Sequence, residues 1–176
     1  MPGAALAVHR RGEQLSVAAG VLNLDTGVDA TGDSVFQLGS VGKAYTAALV
    51  VRLVEEGLLD LDTPVLSYLP GFRVADAEVT KTVTLRHLLG HTSGIDGDHF
   101  LDTGRGDDAL ERYVESCAGL RQAHPLGAIM SYGNSGYAII GRVVAGDRLR
   151  VRRPCSPTGT AWPSRGTTAA PSARAP

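Results

Sequence analysis

Two cysteines in 176 residues, Cys117 and Cys155, are too few and too far apart for a disulfide framework or a zinc-ligand cluster. No other group of residues in the sequence implies a metal or a cofactor. No apolar stretch approaches the ~20 residues that a membrane-spanning helix requires. The opening run from Met1 to Val8 has no basic cluster ahead of it, so it does not read as a signal peptide, and a cytoplasmic chain is the default expectation. Aromatic residues make up 5% of the chain and Trp162 is the sole tryptophan, which leaves no interleaved basic and aromatic surface of the kind nucleic acids need. Lysine is scarce as well. Lys43 and Lys81 stand against 15 arginines, so each retained lysine carries information.

What remains is a soluble, globular balance, 43% hydrophobic and 20% charged. The net charge of -1 conceals two unlike pieces. Residues 1–146 hold 11 basic against 17 acidic residues, a net of -6. Residues 147–176 hold 6 arginines against 1 aspartate, a net of +5. The second piece also carries 5 of the 9 prolines and few large apolar side chains. Such a composition buries too little apolar area to offset the entropy of ordering the chain, and 147–176 is expected to be an unstructured Arg/Pro-rich tail.

Along the first piece, Ala5–Val8 and Leu15–Ala18 flank Arg10-Arg11-Gly12-Glu13, which predicts a β-hairpin. From Val41 to Leu59 apolar residues recur at helical spacing and crowd the opposite side too, which predicts a helix buried in the core. Pro64 marks a further helix start. Thr84–Leu89 reads as a short helix stopped at Gly90, and Asp107–Leu120 and Tyr137–Val144 as helices. Residues 95–108 form a Gly/Asp-rich loop.

Two constellations carry chemistry. Ser40 stands at the mouth of the long helix with Lys43 three residues on, hence on the same face. A serine hydroxyl needs a base to become a nucleophile, and a desolvated lysine has reason to give up its charge and serve as one. The helix N-terminus adds free N–H groups and positive potential where an oxyanion would form. The alternative is an N-cap serine followed by a solvated lysine. The second constellation is Ser131-Tyr132-Gly133-Asn134, which would present a phenol and an amide from a loop. Its alternative is a turn capped by Asn134 with Tyr132 packed locally.

Taken in order, these segments resemble the serine β-lactamase and penicillin-binding superfamily, on its class C β-lactamase, D-alanyl-D-alanine carboxypeptidase and esterase branch. Phe36-Gln37-Leu38-Gly39-Ser40-Val41-Gly42-Lys43 is similar to that family's first motif, and Tyr132-Gly133-Asn134 to its second. Leu88-Leu89-Gly90-His91-Thr92-Ser93-Gly94-Ile95 resembles a segment between them, and Val54–Pro64 with Tyr68-Leu69-Pro70 the stretch after the nucleophile helix.

The resemblance implies an α+β fold of α/β-sandwich type: the N-terminal part of a β-lactamase/transpeptidase-like fold, an antiparallel sheet with a buried nucleophile helix and an all-α subdomain. It implies Ser40 as nucleophile, Lys43 as base, Tyr132 as proton shuttle and Asn134 as a substrate-positioning amide. The substrate would be a small molecule or peptide, and His91 would be scaffold. The family's third motif, Lys or His followed by Thr/Ser-Gly, has no counterpart after Tyr132; Pro157-Thr158-Gly159 lacks the basic residue. The expectation is therefore a partial hydrolase domain over 1–146, with 147–176 as out-of-frame translation. The competing expectation is an inactive fragment or binding relic, and a third is an unrelated interaction domain with a basic tail.

Overall fold

The computed structural model describes residues 2–146; the expected tail, 147–176, lies outside the described residues. The described chain divides into two units, up to Tyr45 and from Thr46 onward.

In the first unit, β1 (Gly3–Arg10) and β2 (Glu13–Gly20) pair antiparallel. Arg11-Gly12 makes the turn, with both residues at positive φ. Such angles suit the right-handed twist of the flanking strands. The register sets Leu6 opposite Val17 and Val8 opposite Leu15, so the larger apolar side chains share one face, and all four are exposed. After β2 an Asn23 turn, whose Oδ1 accepts from Asp25 N at 2.7 Å, returns the chain to a single bridge between Val21 and Asp29.

The second unit is helical, and α1 (Gly42–Glu55) runs into it from the first. The expectation that this helix would be buried needs correction. Only Val50 and Leu53 are buried, while Val41, just ahead of the helix, and Tyr45 are 61% and 67% exposed. Apolar residues on every side of a helix do not by themselves supply neighbours to cover them. Here the buried side is the one that meets the core of the second unit.

That core gathers Val50 and Leu53 with Val65, Phe72, Val79, Leu85, Leu88, Val114, Ile139 and Ile140. The elements around it are short: α2 (Val65–Tyr68), α3 (Ala77–Thr82), α4 (Leu85–Leu89), α5 (Ala109–Ser116) and α6 (Ser135–Ala145). Their ends are tied by side chains. Asp76 Oδ1 accepts from Glu78 N and Val79 N at 2.8 and 3.0 Å, starting α3. Thr84 starts α4 through a reciprocal box, its Oγ1 taking the His87 N–H and its own N–H donating to His87 Nδ1 at 3.2 Å. An exposed two-pronged pair, Arg86 Nε and Nη2 to the Asp62 carboxylate at 2.6 and 2.8 Å, joins α4 to the stretch before α2. α6 packs against both α4 and α5. Cys117 is fully buried after α5, and burial pushes its thiol up to about 11, which makes it a packing residue rather than a nucleophile. Among the described residues no helix is long and apolar enough to cross a membrane.

Two outcomes follow from this packing. Ile139→Ala, at a fully buried site, should lower unfolding stability by about 2–5 kcal/mol. Leu24→Ala, at a residue 78% exposed, should change it by less than about 0.5 kcal/mol. Urea unfolding of both variants checks the contrast. Burial also holds the His87 imidazole below its ordinary value. The unfolded chain then takes up that proton first as pH falls, so the stability contributed by neutral His87 is present at neutral pH and lost on acidification. The thermal midpoint of the native protein should accordingly drop further between neutral and mildly acid pH than that of His87→Gln.

Candidate active site

The first candidate pair is built by a turn that glycine permits. Gly39 has φ of 54°, with no atom within 4 Å of where a Cβ would sit, so the backbone angle rather than space favours glycine there. The chain tightens into a single 3-10 turn, Gly39–Val41, and passes directly into α1. Ser40 lies in that turn and Lys43 in the first turn of α1. Lys43 Nζ donates to Ser40 Oγ at 3.2 Å. Ser40 is exposed and Lys43 half-buried, so the lysine is not the core-desolvated group its helix pattern predicts. Leu38 occupies the capping position of the 3-10 turn, and Ser40 lies within it.

The second candidate pair stands where α6 begins. Asn134 occupies the N-cap of α6 and makes no side-chain capping bond. Its backbone N–H donates to Gly97 O at 2.8 Å. Next to it, the Ser135 hydroxyl is buried and donates to Asp96 O at 3.1 Å. Gly133 crosses Gly97 so closely that a Cβ on either would lie 2.4–2.7 Å from the other's Cα. Tyr132 is 50% exposed, with its ring centroid 4.6 Å from that of His91. The Ser131 N–H donates to His91 O at 2.8 Å, and the Gly133 N–H to His91 Nδ1 at 3.3 Å.

The structure thus brings Ser40 together with Lys43, and Tyr132 together with Asn134. Sequence reasoning leaves out the members of the second constellation that shape it. His91 is visible there only as scaffold, and the Gly97–Gly133 approach is not visible at all. The available signal was a pair of glycines, one beside a tyrosine and one inside a loop rich in glycine and aspartate. A cavity of about 580 Å³ in the second unit is lined by Leu58, Tyr68, Phe72, Glu111, Arg142 and Val143 and contains none of the four candidate residues. A shallow depression elsewhere in that unit includes Asn134, flanked by His99, Phe100 and Tyr113.

The sequence profile of the Beta-lactamase family matches residues 1–147, a stretch that includes all four candidate residues. The chain belongs to the β-lactamase family. Its members are serine hydrolases, and this β-lactamase-family chain is 58% identical over 144 residues to Penicillin-binding protein 4 of Amycolatopsis lactamdurans, covering 82% of the chain and 38% of that relative. It is 43% identical over 95 residues to Esterase EstB of Burkholderia gladioli, covering 53% of the chain and 24% of the esterase. The crystal structure of a class C β-lactamase from Rhodobacter sphaeroides superposes with a TM-score of 0.61 at 27% identity, over 82% of the chain and 39% of that enzyme. The fold is therefore the β-lactamase/transpeptidase-like one, as mixed helices with a small antiparallel sheet, and the chain spans well under half the length of these relatives.

Replacing Gly97 tests the backbone crossing that places the Tyr132–Asn134 segment. Gly97→Ala should destabilise the protein by about 1–3 kcal/mol, because the new methyl meets backbone rather than a movable side chain. Gly119→Ala, with nothing within 4 Å, should be neutral to within about 0.5 kcal/mol. Thermal unfolding of the two variants side by side gives the comparison.

Proposed function

We propose that the chain carries the nucleophilic half of a serine acyl-transfer site, with Ser40 as nucleophile and Lys43 as its base. The observation that carries the reading is the 3.2 Å pair of Lys43 Nζ and Ser40 Oγ at the start of α1, with the hydroxyl exposed to an incoming carbonyl. In the reacting state the proton runs the other way along this contact. Neutral Nζ takes the hydroxyl proton as Oγ attacks the carbonyl carbon of an amide or ester. The negative charge that develops on the carbonyl oxygen is favoured near the N-terminal end of a helix. The C–N or C–O bond then breaks and the leaving group departs with a proton, leaving an acyl group on Oγ. Water hydrolyses that ester and returns the proton.

Tyr132 is assigned the proton shuttle to the leaving group and Asn134 the amide that positions the substrate. Two features support them. The phenol is half exposed, and Asn134 stands at the N-cap of α6, anchored through its backbone N–H to Gly97 O. The relatives' names span penicillin-binding protein, esterase and class C β-lactamase. A β-lactam, a D-Ala-D-Ala peptide and a simple ester all fit the same acyl-enzyme chemistry. The domain assignment is a partial hydrolase domain over residues 1–146.

A second reading has its own observation. The chain spans 38% of Penicillin-binding protein 4, and a fragment of that extent can keep the fold's local structure without turning over substrate.

Labelling separates the two. A fluorophosphonate or fluorescent penicillin should attach covalently to Ser40, leave Ser40→Ala unlabelled, and react about 10²–10⁴ times more slowly with Lys43→Ala. Folded protein that takes up neither probe supports the non-catalytic fragment.

A further inference from the structure

His91 occupies a place where a side chain is a liability. Gly90 caps α4, and His91 follows it with φ of 55°, the left-handed backbone that chains adopt after a helix end and usually fill with glycine. A residue with a Cβ costs about 1–2 kcal/mol there. Arg11, the other non-glycine at positive φ among the described residues, sits in a two-residue hairpin turn where such angles are ordinary. Thr92 closes the helix end, its N–H donating to His87 O at 2.9 Å and its hydroxyl to the same oxygen at 3.4 Å. Capping therefore gives no reason for an imidazole.

The ring's surroundings give one. It lies between two tyrosines, its centroid 4.6 Å from Tyr132 and 5.2 Å from Tyr137. Tyr137 is fixed in turn, its hydroxyl donating to Leu89 O at 3.2 Å. Nδ1 accepts the Gly133 N–H, which places the ring proton on Nε2. One side chain thus touches the residue before Asn134, and the ring of Tyr132, while braced from behind by α6.

We propose that His91 is a positioning residue for the Tyr132–Asn134 segment, a wedge that aims the Tyr132 phenol and fixes the Gly133 peptide. The inference rests on the reading of Tyr132 as proton shuttle, through which His91 acts.

His91→Gly separates wedge from helix end, because glycine suits the left-handed backbone better than histidine does. It should fold with a thermal midpoint equal to or above that of the native protein. Amide exchange at Gly133 should accelerate about tenfold, while exchange at Ser131, bonded to the His91 backbone oxygen, stays unchanged. The Tyr132 ring resonances should lose the shift imposed by the neighbouring imidazole. Acylation of Ser40 by a fluorescent penicillin, whose departing nitrogen needs a proton, should slow by about tenfold to a hundredfold in maximal rate, with little change in the half-saturating concentration. His91→Asn, which tolerates the same backbone and offers a side-chain oxygen, should recover much of the Gly133 protection. Unchanged Gly133 exchange and unchanged Tyr132 resonances in His91→Gly overturn the proposal. So does a loosened segment with an unaltered acylation rate. If the native protein is not labelled at Ser40 at all, the acyl-transfer reading falls by itself, and the exchange and ring-resonance measurements decide the wedge.

Discussion

The burial of α6 is the constraint on which the second unit depends. Ile139, Ile140 and Val143 are sealed into the core, and α6 lies against both α4 and α5. Once those side chains are buried, the first residue of the helix has no freedom to wander. Ser135 is buried and bonded to Asp96, Asn134 is bonded through its backbone to Gly97, and Gly133 crosses Gly97 at a distance only glycine permits. An exposed polar segment thereby takes its position from apolar packing two turns further along the chain.

The other pair is built on different terms. Ser40 and Lys43 stand three residues apart across the 3-10 turn and the start of α1, a spacing that puts an amine 3.2 Å from a hydroxyl. The Tyr132 segment, by contrast, draws on residues from Leu89 to Gly97 and on α6 together. Local geometry in one case and long-range packing in the other make the two pairs unequally robust to change elsewhere in the chain.

The same distinction explains what could be read from the sequence. The hairpin was legible because alternating apolar residues flank a turn that tolerates positive φ, and the observed strands extend it by a few residues at each end. Thr84 and Gly90 announced both ends of α4, and the observed helix lies between them. The short helix α3 went unread, since six residues carry too little periodicity and its one signal, the capping Asp76, is common in loops. The burial of α1 was over-read for a related reason. A pattern gives the apolar faces of a helix, but whether a neighbour covers each face is decided by tertiary structure. The Gly97–Gly133 crossing joins residues 36 positions apart, and no local pattern encodes it.

The hairpin of the first unit carries one more implication. Its face of Leu6, Val8, Leu15 and Val17 is exposed, and among the described residues no third strand joins its sheet. An exposed apolar face on a two-stranded ribbon favours association between molecules. The charged residues at its tip, Arg10, Arg11 and Glu13, guard only the turn. The first twenty residues are therefore where association between molecules would begin, through an apolar face rather than through the charged turn.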